Sequence, residues 1–384
     1  MQVRSASVVT LTIAVMLATA RAFSTPADPV PLVAHEWGTF TSVAGADGAA
    51  LQWSPQGGQS DLPCFVERSV FNVKGWLVGT VRMETPVLYF YAPQPVSVNV
   101  DVAFHDGLMT EWYPHATAGG DAFGTSAWEG WLTWTGVRVS PGLPADFPSE
   151  SRSSHYYAAR QTDAAPVQAG SQKERFLFYR GVGRFAPPLM ATIADDGSAT
   201  VWNRGDLPLG DLILFSNRGG TIAFTHQRAA ASRTVIARPA VDDDVTMLKR
   251  DLERILVDNG LYRREAEAMV ATWSDSWFEE GTRLFYIAPR RTVDQVLPLT
   301  IVPTPRELQR VFVGRIELVT AETRQSVKRA LLAGDGAALA RHGRFLQPIG
   351  TRAIEESDAS ERPLLASRLS SASVQLNTPR SSCR

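Results

Sequence analysis

The chain has 384 residues, of which 44% are hydrophobic and 20% are charged, and its formal net charge at pH 7 is −1. This composition is typical of a globular protein and excludes the disordered and fibrous classes. Arginine dominates the 38 basic residues, but the arginines are scattered and are balanced by 39 acidic residues. Nucleic-acid-binding domains normally carry a basic excess, so we expect no nucleic-acid partner.

Residues 1–22 have the pattern of a secretory signal peptide. Met1 to Arg4 carries a positive charge, residues 8–20 are uncharged, and Ala20-Arg21-Ala22 is a small-x-small cleavage site. The apolar run is shorter than the roughly 20 residues that span a bilayer. We therefore expect export to the periplasm or the medium, and no transmembrane segment in the mature chain.

Residues 33–228 are predicted to form a β-sandwich-like domain. The clearest strand is Val96 to Phe104, where apolar residues alternate with small or polar ones. Residues 79–91 form either two short strands separated at Pro86 or one strand bent at a bulge. Many short strands joined by glycine-containing turns predict an antiparallel sandwich or open barrel.

Residues 240–350 combine helices and strands, which makes the whole chain α+β. Apolar residues at helical spacing after residue 244, the turn Asn259-Gly260 and a second helix from near Tyr262 predict an αα-hairpin. Three strands and a further helix follow, and this smaller α+β part either stands alone or completes the first sheet. The serine-rich, aperiodic stretch 355–384 is predicted to be a disordered tail.

The segment that begins at His35 is the first candidate site. His35-Glu36 starts like a zinc-protease motif, but that motif needs a second histidine four residues later, where this chain has Thr39. The neighbouring residues instead predict a strand, which puts His35 and Glu36 on opposite faces. Both remain candidate catalytic residues, and the alternative for His35 is a satisfied position in or beside the core.

A second set of candidates is made of histidines and carboxylates spread over several predicted strands. The set also contains His105 and Glu129, and its candidate catalytic residues are Glu84, Glu111, His115 and His155. If they converge, they could hold a divalent metal, or two carboxylates about 5–10 Å apart could act as acid and base on a glycosidic bond. The alternative is separate polar residues on solvated faces. No other cofactor is indicated.

Aromatic residues are dense in the first half of the chain, and Trp112, Tyr113 and Trp131 are candidate ligand-binding residues. Exposed aromatic rings stack on the apolar faces of sugars, so a glycan or another cell-envelope component is the expected ligand. The alternative is that these rings pack in the core.

The two cysteines, Cys64 and Cys383, are too few for a disulfide scaffold. Cys64 lies between turn residues and a strand-like run, so we expect a buried thiol. A Cys64–Cys383 disulfide is the alternative in an oxidising compartment.

Several segments together resemble an uncharacterised family of secreted bacterial proteins. These segments are HEWGTFTSV (35–43), GTVRMETPVLYFY (79–91), TEWYP (110–114), ERFLFYRGVGRF (174–185), DSWFEEG (275–281) and RVFVGRIEL (310–318). The resemblance implies an exported protein that is β-rich and then α+β, and it implies no activity and no catalytic residue.

Two functions are consistent with these observations. The first is an exported, non-catalytic or ligand-binding protein that recognises a glycan or envelope component. The second is a secreted or periplasmic hydrolase, metal-assisted if the histidines and glutamates meet. Convergence of the candidate residues in one cleft would discriminate between them.

Overall fold

The structure is a computed structural model, and it describes residues 30–54, 62–69, 77–121, 127–229, 232–240 and 244–377. The predicted signal peptide over residues 1–22 lies outside the described residues. In the described part, no helix combines the length and the apolar character that crossing a bilayer requires.

The described chain forms eighteen strands, seven α-helices and two short 3₁₀ helices. The strands are β1 (Val30–Val43), β2 (Glu67–Arg68), β3 (Val81–Tyr91), β4 (Val96–His105), β5 (Gly107–Tyr113), β6 (Thr117–Asp121), β7 (Glu129–Val139), β8 (Val167–Ala169), β9 (Gln172–Glu174), β10 (Leu177–Gly183), β11 (Leu189–Ile193), β12 (Ala199–Asn203), β13 (Asp211–Arg218), β14 (Thr221–Arg228), β15 (Arg233–Ile236), β16 (Gly281–Ile287), β17 (Leu299–Val302) and β18 (Pro305–Glu317). The helices are α1 (Val245–Asp258), α2 (Arg263–Trp273), α3 (Arg290–Val296), α4 (Ala321–Ala333), α5 (Gly336–Ala340), α6 (Leu346–Glu355) and α7 (Arg362–Asn377), with 3₁₀ helices at His155–Arg160 and Gly343–Phe345.

Fifteen of the strands form one large sheet whose order is β14-β13-β16-β18-β1-β3-β10-β5-β7-β4-β17, with β2, β6, β8 and β9 added beside β5 and β7. The pairs β1–β18 and β5–β7 are parallel, and the other described pairs are antiparallel. A separate three-stranded sheet has the order β11-β12-β15. The prediction of a mixed α+β protein with a large, mostly antiparallel sheet is confirmed.

The two faces of the large sheet bury different clusters. On one face, Phe40, Met83 and Phe312 belong to an apolar cluster that also contains the inward side chains of β4 and β7. On the other face, Trp37 and Tyr89 pack with the apolar stripes of α1 and α2. Central strands are therefore buried on both sides, which is why charged side chains on them need partners.

The helices begin and end where local capping predicts. Asp244 caps α1 by accepting a hydrogen bond from the backbone N–H of Thr246 at 2.9 Å, and the Glu265 side chain accepts one from the backbone N–H of Tyr262 at the start of α2. Gly334 ends α4 in the left-handed conformation, with φ of 68°.

The strand over residues 81–91 follows the bulged alternative of the sequence prediction. β3 runs unbroken through Pro86, and its bulge lies at Thr85, which has φ of 46°. A positive φ at a residue with a β-branched side chain is strained, and such residues concentrate at functional sites. The bulge therefore indicates a candidate functional site in this part of the sheet.

Two features of the C-terminal region differ from the simplest sequence predictions. β18 lies beside β1, so the C-terminal strands complete the first sheet, one of the two alternatives. Residues 362–377, expected in a disordered tail, form α7, whose Leu365 and Leu369 belong to an apolar cluster with α4 and α6. Leucines four residues apart supply an apolar stripe that the serine-rich composition concealed.

Cys64 also differs from its prediction. Its side chain is exposed and disulfide-bonded, whereas the sequence predicted a buried thiol. Cys383 lies outside the described residues, and so does the predicted alternative of a Cys64–Cys383 pair.

Candidate functional site

His35 is buried between β1 and α2. Its Nδ1 lies 2.8 Å from Oε2 of Glu265, and the Tyr91 hydroxyl donates to Oε1 of the same carboxylate at 2.8 Å. The imidazole also lies against the Tyr262 ring, with 4.3 Å between ring centroids, and its Nε2 is 3.9 Å from Glu307. These contacts link a strand to a helix, and they match the core alternative for His35.

Glu36 points to the opposite face, as strand alternation predicted. Nε of Arg310 donates to its carboxylate at 2.5 Å, and the hydroxyl of Tyr179 donates to the other oxygen. Arg310 also donates to Asp294 at 2.8 Å and to the carbonyl of Leu297 at 2.7 Å. Glu36 is therefore held in a buried ion pair and does not share a cleft with His35.

The two remaining histidine candidates lie in different places. His115 is exposed and its Nδ1 is 2.8 Å from Glu67. His155 is buried beside the Trp273 ring, and its Nδ1 is 3.6 Å from Asp275. Among the described residues, no group of three or more His, Cys, Asp or Glu side chains is placed to hold a metal ion.

Glu84 and Glu111 are the candidates that the fold brings to one region. Glu84 is on β3 and Glu111 on β5, and β10 lies between these strands. Arg180 of β10 is directly opposite Glu111, and paired residues of antiparallel strands project to the same face. The positive charge of Arg180 also acts on Glu84. This region is the candidate site that the side-chain chemistry favours.

We name this site the arginine layer, and it consists of Glu84 with Arg82, Arg180, Arg315 and Arg344. Arg82 and Glu84 lie on the same face of β3 because they are two residues apart. Arg315 lies on β18, and Arg344 is in the 3₁₀ helix after α5. The layer continues the helix-covered face of the sheet, since Val311 and Val313 of β18 precede Arg315 at two-residue spacing.

Irregular strand pairing positions these side chains. The register shifts between β1 and β3 near Thr39, between β3 and β10 before Gly181, and between β10 and β5 at Arg180. Three adjacent strand pairs are thus irregular at about the level of the Thr85 bulge. Bulges re-aim side chains and are frequent beside functional sites.

Glu84 is bound from several sides. Thr41 donates its hydroxyl to Oε2 at 2.8 Å, Nε of Arg82 is 3.0 Å from Oε1, and Arg344 forms an ion pair with the same oxygen. Burial alone would raise the pKa of Glu84, but Arg344, Arg82, Arg315 and Arg180 together lower it to about 2. The carboxylate is therefore ionised at neutral pH and cannot serve as a general acid there.

Two further ion pairs lie next to the ion pairs of Glu84, and they involve Arg283 and Arg315. Nε of Arg283 donates to Glu317 at 2.8 Å, and Nη2 of Arg315 donates to Glu279 at 2.9 Å. Burial and the positive charge of Arg283 lower the pKa of Arg315 below its ordinary value. Burial is the larger cause of this shift, and Arg283 is close enough for the two cations to repel each other.

The aromatic candidates separate into buried and exposed residues. Trp112 and Tyr113 are 7% and 3% exposed, so they cannot form a stacking surface, whereas Trp131 is 39% exposed. Trp112 still contributes indirectly, since its indole N–H donates to Glu67 at 2.9 Å. Trp112 and Tyr113 therefore pack in the core, and only Trp131 of the three candidates is exposed.

A polar groove is lined in part by Thr133 and Thr135 of β7, and we name it the β7 groove. Trp131 does not line the groove and lies two residues before Thr133 on the same strand. Its cavity volume is about 530 Å³, and its lining includes Glu67, His115, Thr117, Thr133, Thr135, Ser171 and Gln172. Thr117 of β6 pairs with Thr133 of β7, and Gly119 pairs with Trp131. Trp131 and Thr133 therefore lie on one face of β7, separated by about 7 Å along the strand.

The arginines of the layer were not identified as candidate site residues in the sequence analysis. Two strands nevertheless carry a pattern that indicates buried arginines. Phe178 and Arg180 on β10, like Val313 and Arg315 on β18, continue an apolar alternation with a charged residue. An arginine at such a position is predicted to be buried and therefore to need anionic partners.

Comparison with known proteins adds no relative: no protein-family model matches the chain, and no curated protein is significantly similar to it.

Proposed function

We propose that this is an exported ligand-binding protein that recognises a glycan of the cell envelope through the β7 groove. The observation that carries the proposal is an exposed indole ring, that of Trp131, two residues along β7 from a lining residue of a polar groove, Thr133. Sugar-binding sites combine these two features, since a ring contacts the apolar sugar face while polar groups bind the hydroxyls.

The ring of Trp131 is held in place by the adjacent strand. A Cβ atom added at Gly119 would lie 2.3 Å from the indole ring, so the ring lies directly against the backbone of β6. Glycine is required at this close approach. The exposed face of a ring fixed in this way loses little conformational entropy when it stacks on a ligand.

The polar lining offers both donors and acceptors. The Glu67 side chain is 29% exposed and accepts hydrogen bonds from Trp112 and His115, while the His115 side chain is 72% exposed. Thr117, Thr133 and Thr135 add hydroxyl groups. Pre-oriented carboxylate and hydroxyl groups suit the hydroxyls of a neutral sugar better than they suit an anion.

The competing hydrolase hypothesis gains no support from the described residues. Its candidates His35, Glu36, His115 and His155 occupy four separate environments, and Glu84 has a pKa far below neutrality. A general base or acid works best with a pKa near the operating pH. We therefore retain ligand binding as the proposed function.

The finer features of the predicted architecture belong to the same proposal. We propose that the large sheet curves into a sandwich or open barrel, because one apolar cluster joins β4 and β7 to β16 and β18, which are distant in the strand order. We propose also that α1 and α2 form an αα-hairpin. Membership of the uncharacterised secreted family remains a prediction.

The test is a polysaccharide pull-down with the full chain and with Trp131→Ala. We expect the wild type to bind an envelope polysaccharide and Trp131→Ala to bind at least tenfold more weakly, a loss of about 1.4 kcal/mol. Trp131→Tyr should retain most of the affinity because it keeps an aromatic ring. Gly119→Val should weaken binding as Trp131→Ala does, because its side chain displaces the indole.

A matched control is Met247→Ala on α1, which removes another exposed hydrophobic side chain (56% exposed) far from the groove. It should bind as the wild type does. Failure of the wild type to bind any envelope polymer would reject the proposal, and so would unchanged binding by both Trp131→Ala and Gly119→Val.

A further inference from the structure

We propose that the arginine layer is a binding site for a tetrahedral oxyanion, a phosphate or sulfate group. This inference is independent of the glycan proposal, since it rests on other residues on another part of the sheet. It is carried by unpaired hydrogen-bond donors of Arg315, by the crowding of arginines around Glu84 and by a partly exposed edge.

Arg315 is fully buried, yet it uses little of its donor capacity. Nη2 donates to Glu279, whereas Nε and Nη1 have no hydrogen-bond partner among the described residues. Leaving a charged donor buried and unsatisfied is costly, and such groups are rare in folded proteins. An anion that accepts from Nε and Nη1 would remove this cost.

A second unsatisfied group lies on the same side of the sheet. The hydroxyl of Thr39 is buried and also has no partner among the described residues. Thr39 is opposite Glu84 in the β1–β3 ladder, and Thr41, two residues further along β1, binds Glu84. Thr39 and Arg315 therefore bring unsatisfied polar groups to the face on which the layer lies.

Arginines are crowded together in the layer. Four of them act on one buried carboxylate, Glu84, and Arg315 is also repelled by Arg283. Repulsion among buried cations is unfavourable, and a bound anion would offset it.

The chemistry of arginine selects the class of ligand. A guanidinium group presents its donors in a planar fork that binds two oxygens of a phosphate or carboxylate. The arginines of the layer approach from β3, β10, β18 and a 3₁₀ helix, and donors that arrive from several directions suit the four oxygens of a tetrahedral anion. A planar carboxylate would satisfy fewer of them.

The layer reaches solvent at one edge. The Arg344 side chain is 12% exposed and that of Glu279 is 19% exposed. The guanidinium carbon of Arg315 lies 4.8 Å from the centroid of the Phe345 ring. Phe345 directly follows Arg344 in the sequence. An oxyanion that entered past Arg344 would therefore come next to Arg315.

The experiment measures binding of inorganic phosphate, sulfate and acetate to the full chain by calorimetry, in chloride buffer at constant ionic strength. We expect phosphate or sulfate to bind and acetate to bind at least tenfold more weakly. Arg344→Gln and Arg315→Met should each weaken oxyanion binding at least tenfold. Arg254→Gln on α1, an exposed arginine with carboxylate neighbours, is the matched control and should bind normally.

Arg344→Gln decides the test if Arg315→Met does not fold, because Arg344 is partly exposed. The inference is overturned if neither oxyanion binds the wild type, if acetate binds as well as phosphate and sulfate, or if binding survives both substitutions. Trp131→Ala should bind the oxyanion normally, so failure here and failure of the glycan proposal are distinguishable.

Discussion

Glu36 and Glu84 are both fully buried and both bound to arginine, but the environments of their arginine partners have opposite effects. Burial alone would lower the pKa of Arg310, yet the charge of Glu36 and the hydrogen bonds to Glu36 and Asp294 hold it above its ordinary value. Around Glu84, by contrast, burial and Arg283 lower the pKa of Arg315. The surroundings of Arg310 thus stabilise its charged form on one face of the sheet, whereas those of Arg315 destabilise it on the other.

Repulsion between cations explains this contrast better than hydrogen bonding or the number of carboxylates does. Arg310 and Arg315 each keep nitrogen atoms without a partner in the described part of the chain, namely Nη2 of Arg310 and both Nε and Nη1 of Arg315. Two carboxylates pair with Arg310, and three act on Arg315, which is also repelled by Arg283. The Glu36 pair can therefore be explained as a structural link, whereas the arginine layer holds cations that repel one another.

The largest expected effect is that of Arg310→Met on stability. The substitution leaves Glu36 buried with the Tyr179 hydroxyl but without its cation, and we expect the free energy of unfolding to fall by about 3–5 kcal/mol. Urea unfolding monitored by tryptophan fluorescence measures the loss. The double variant Glu36→Leu with Arg310→Met should recover much of it, because an apolar pair of similar size needs no charge compensation. A single-variant loss below about 1 kcal/mol would contradict the structural role.

The next effect concerns the acid sensitivity of the arginine layer. The pKa of Glu84 is about 2 in the folded protein against an ordinary value of 4.5. Because the folded-state value is the lower one, this stabilisation is present above pH 4.5 and is lost as the pH falls toward 2. At about 1.36 kcal/mol per pKa unit, the contribution is about 3 kcal/mol.

Glu84→Gln removes this contribution, so its free energy of unfolding should vary less between pH 4.5 and 2 than that of the wild type. Urea unfolding at several pH values measures the slope. Glu267→Gln on α2, at an exposed carboxylate, should keep the wild-type slope. Equal slopes in wild type and Glu84→Gln would show that the arginines do not act on Glu84 as proposed.

Much of the local structure could be predicted from sequence alone. The alternation of Val96 to Phe104 gives β4, the spacing after residue 244 gives α1, and strand periodicity separates His35 from Glu36. These predictions succeed because the patterns follow from the periods of single elements. α7 was missed since its serines conceal the apolar stripe of Leu365 and Leu369.

The candidate site could not be predicted because it depends on long-range pairing. Arg315 reaches the layer because β18 pairs with β1, although 274 positions separate Arg315 from its partner Thr41 in the sequence. Arg344 arrives from a 3₁₀ helix that has no strand pattern at all. A single sequence contains no signal for these neighbours. Residue type alone indicates the histidines and glutamates, but it does not indicate which arginines surround Glu84.

The smallest effect we predict separates Arg344 from the other arginines of the layer. Arg344 lowers the pKa of Glu84 more than Arg82 does, yet it is partly exposed. Arg344→Gln should therefore raise the pKa of Glu84 while reducing the free energy of unfolding by only about 1 kcal/mol, as for other partly solvated ion pairs. Carbon-13 NMR of the Glu84 carboxyl carbon across an acid titration measures the pKa.

Arg341→Gln is the matched control, because Arg341 is exposed and lies three residues before Arg344. It should leave the titration of Glu84 unchanged. If Arg344→Gln also leaves it unchanged, the potential at Glu84 is set by Arg82, Arg180 and Arg315 within the sheet, and the edge at Arg344 loses its role as the entry to the layer. If the pKa rises only in Arg344→Gln, the cation nearest solvent is coupled to the buried carboxylate, which is the coupling that an anion entering at this edge would use.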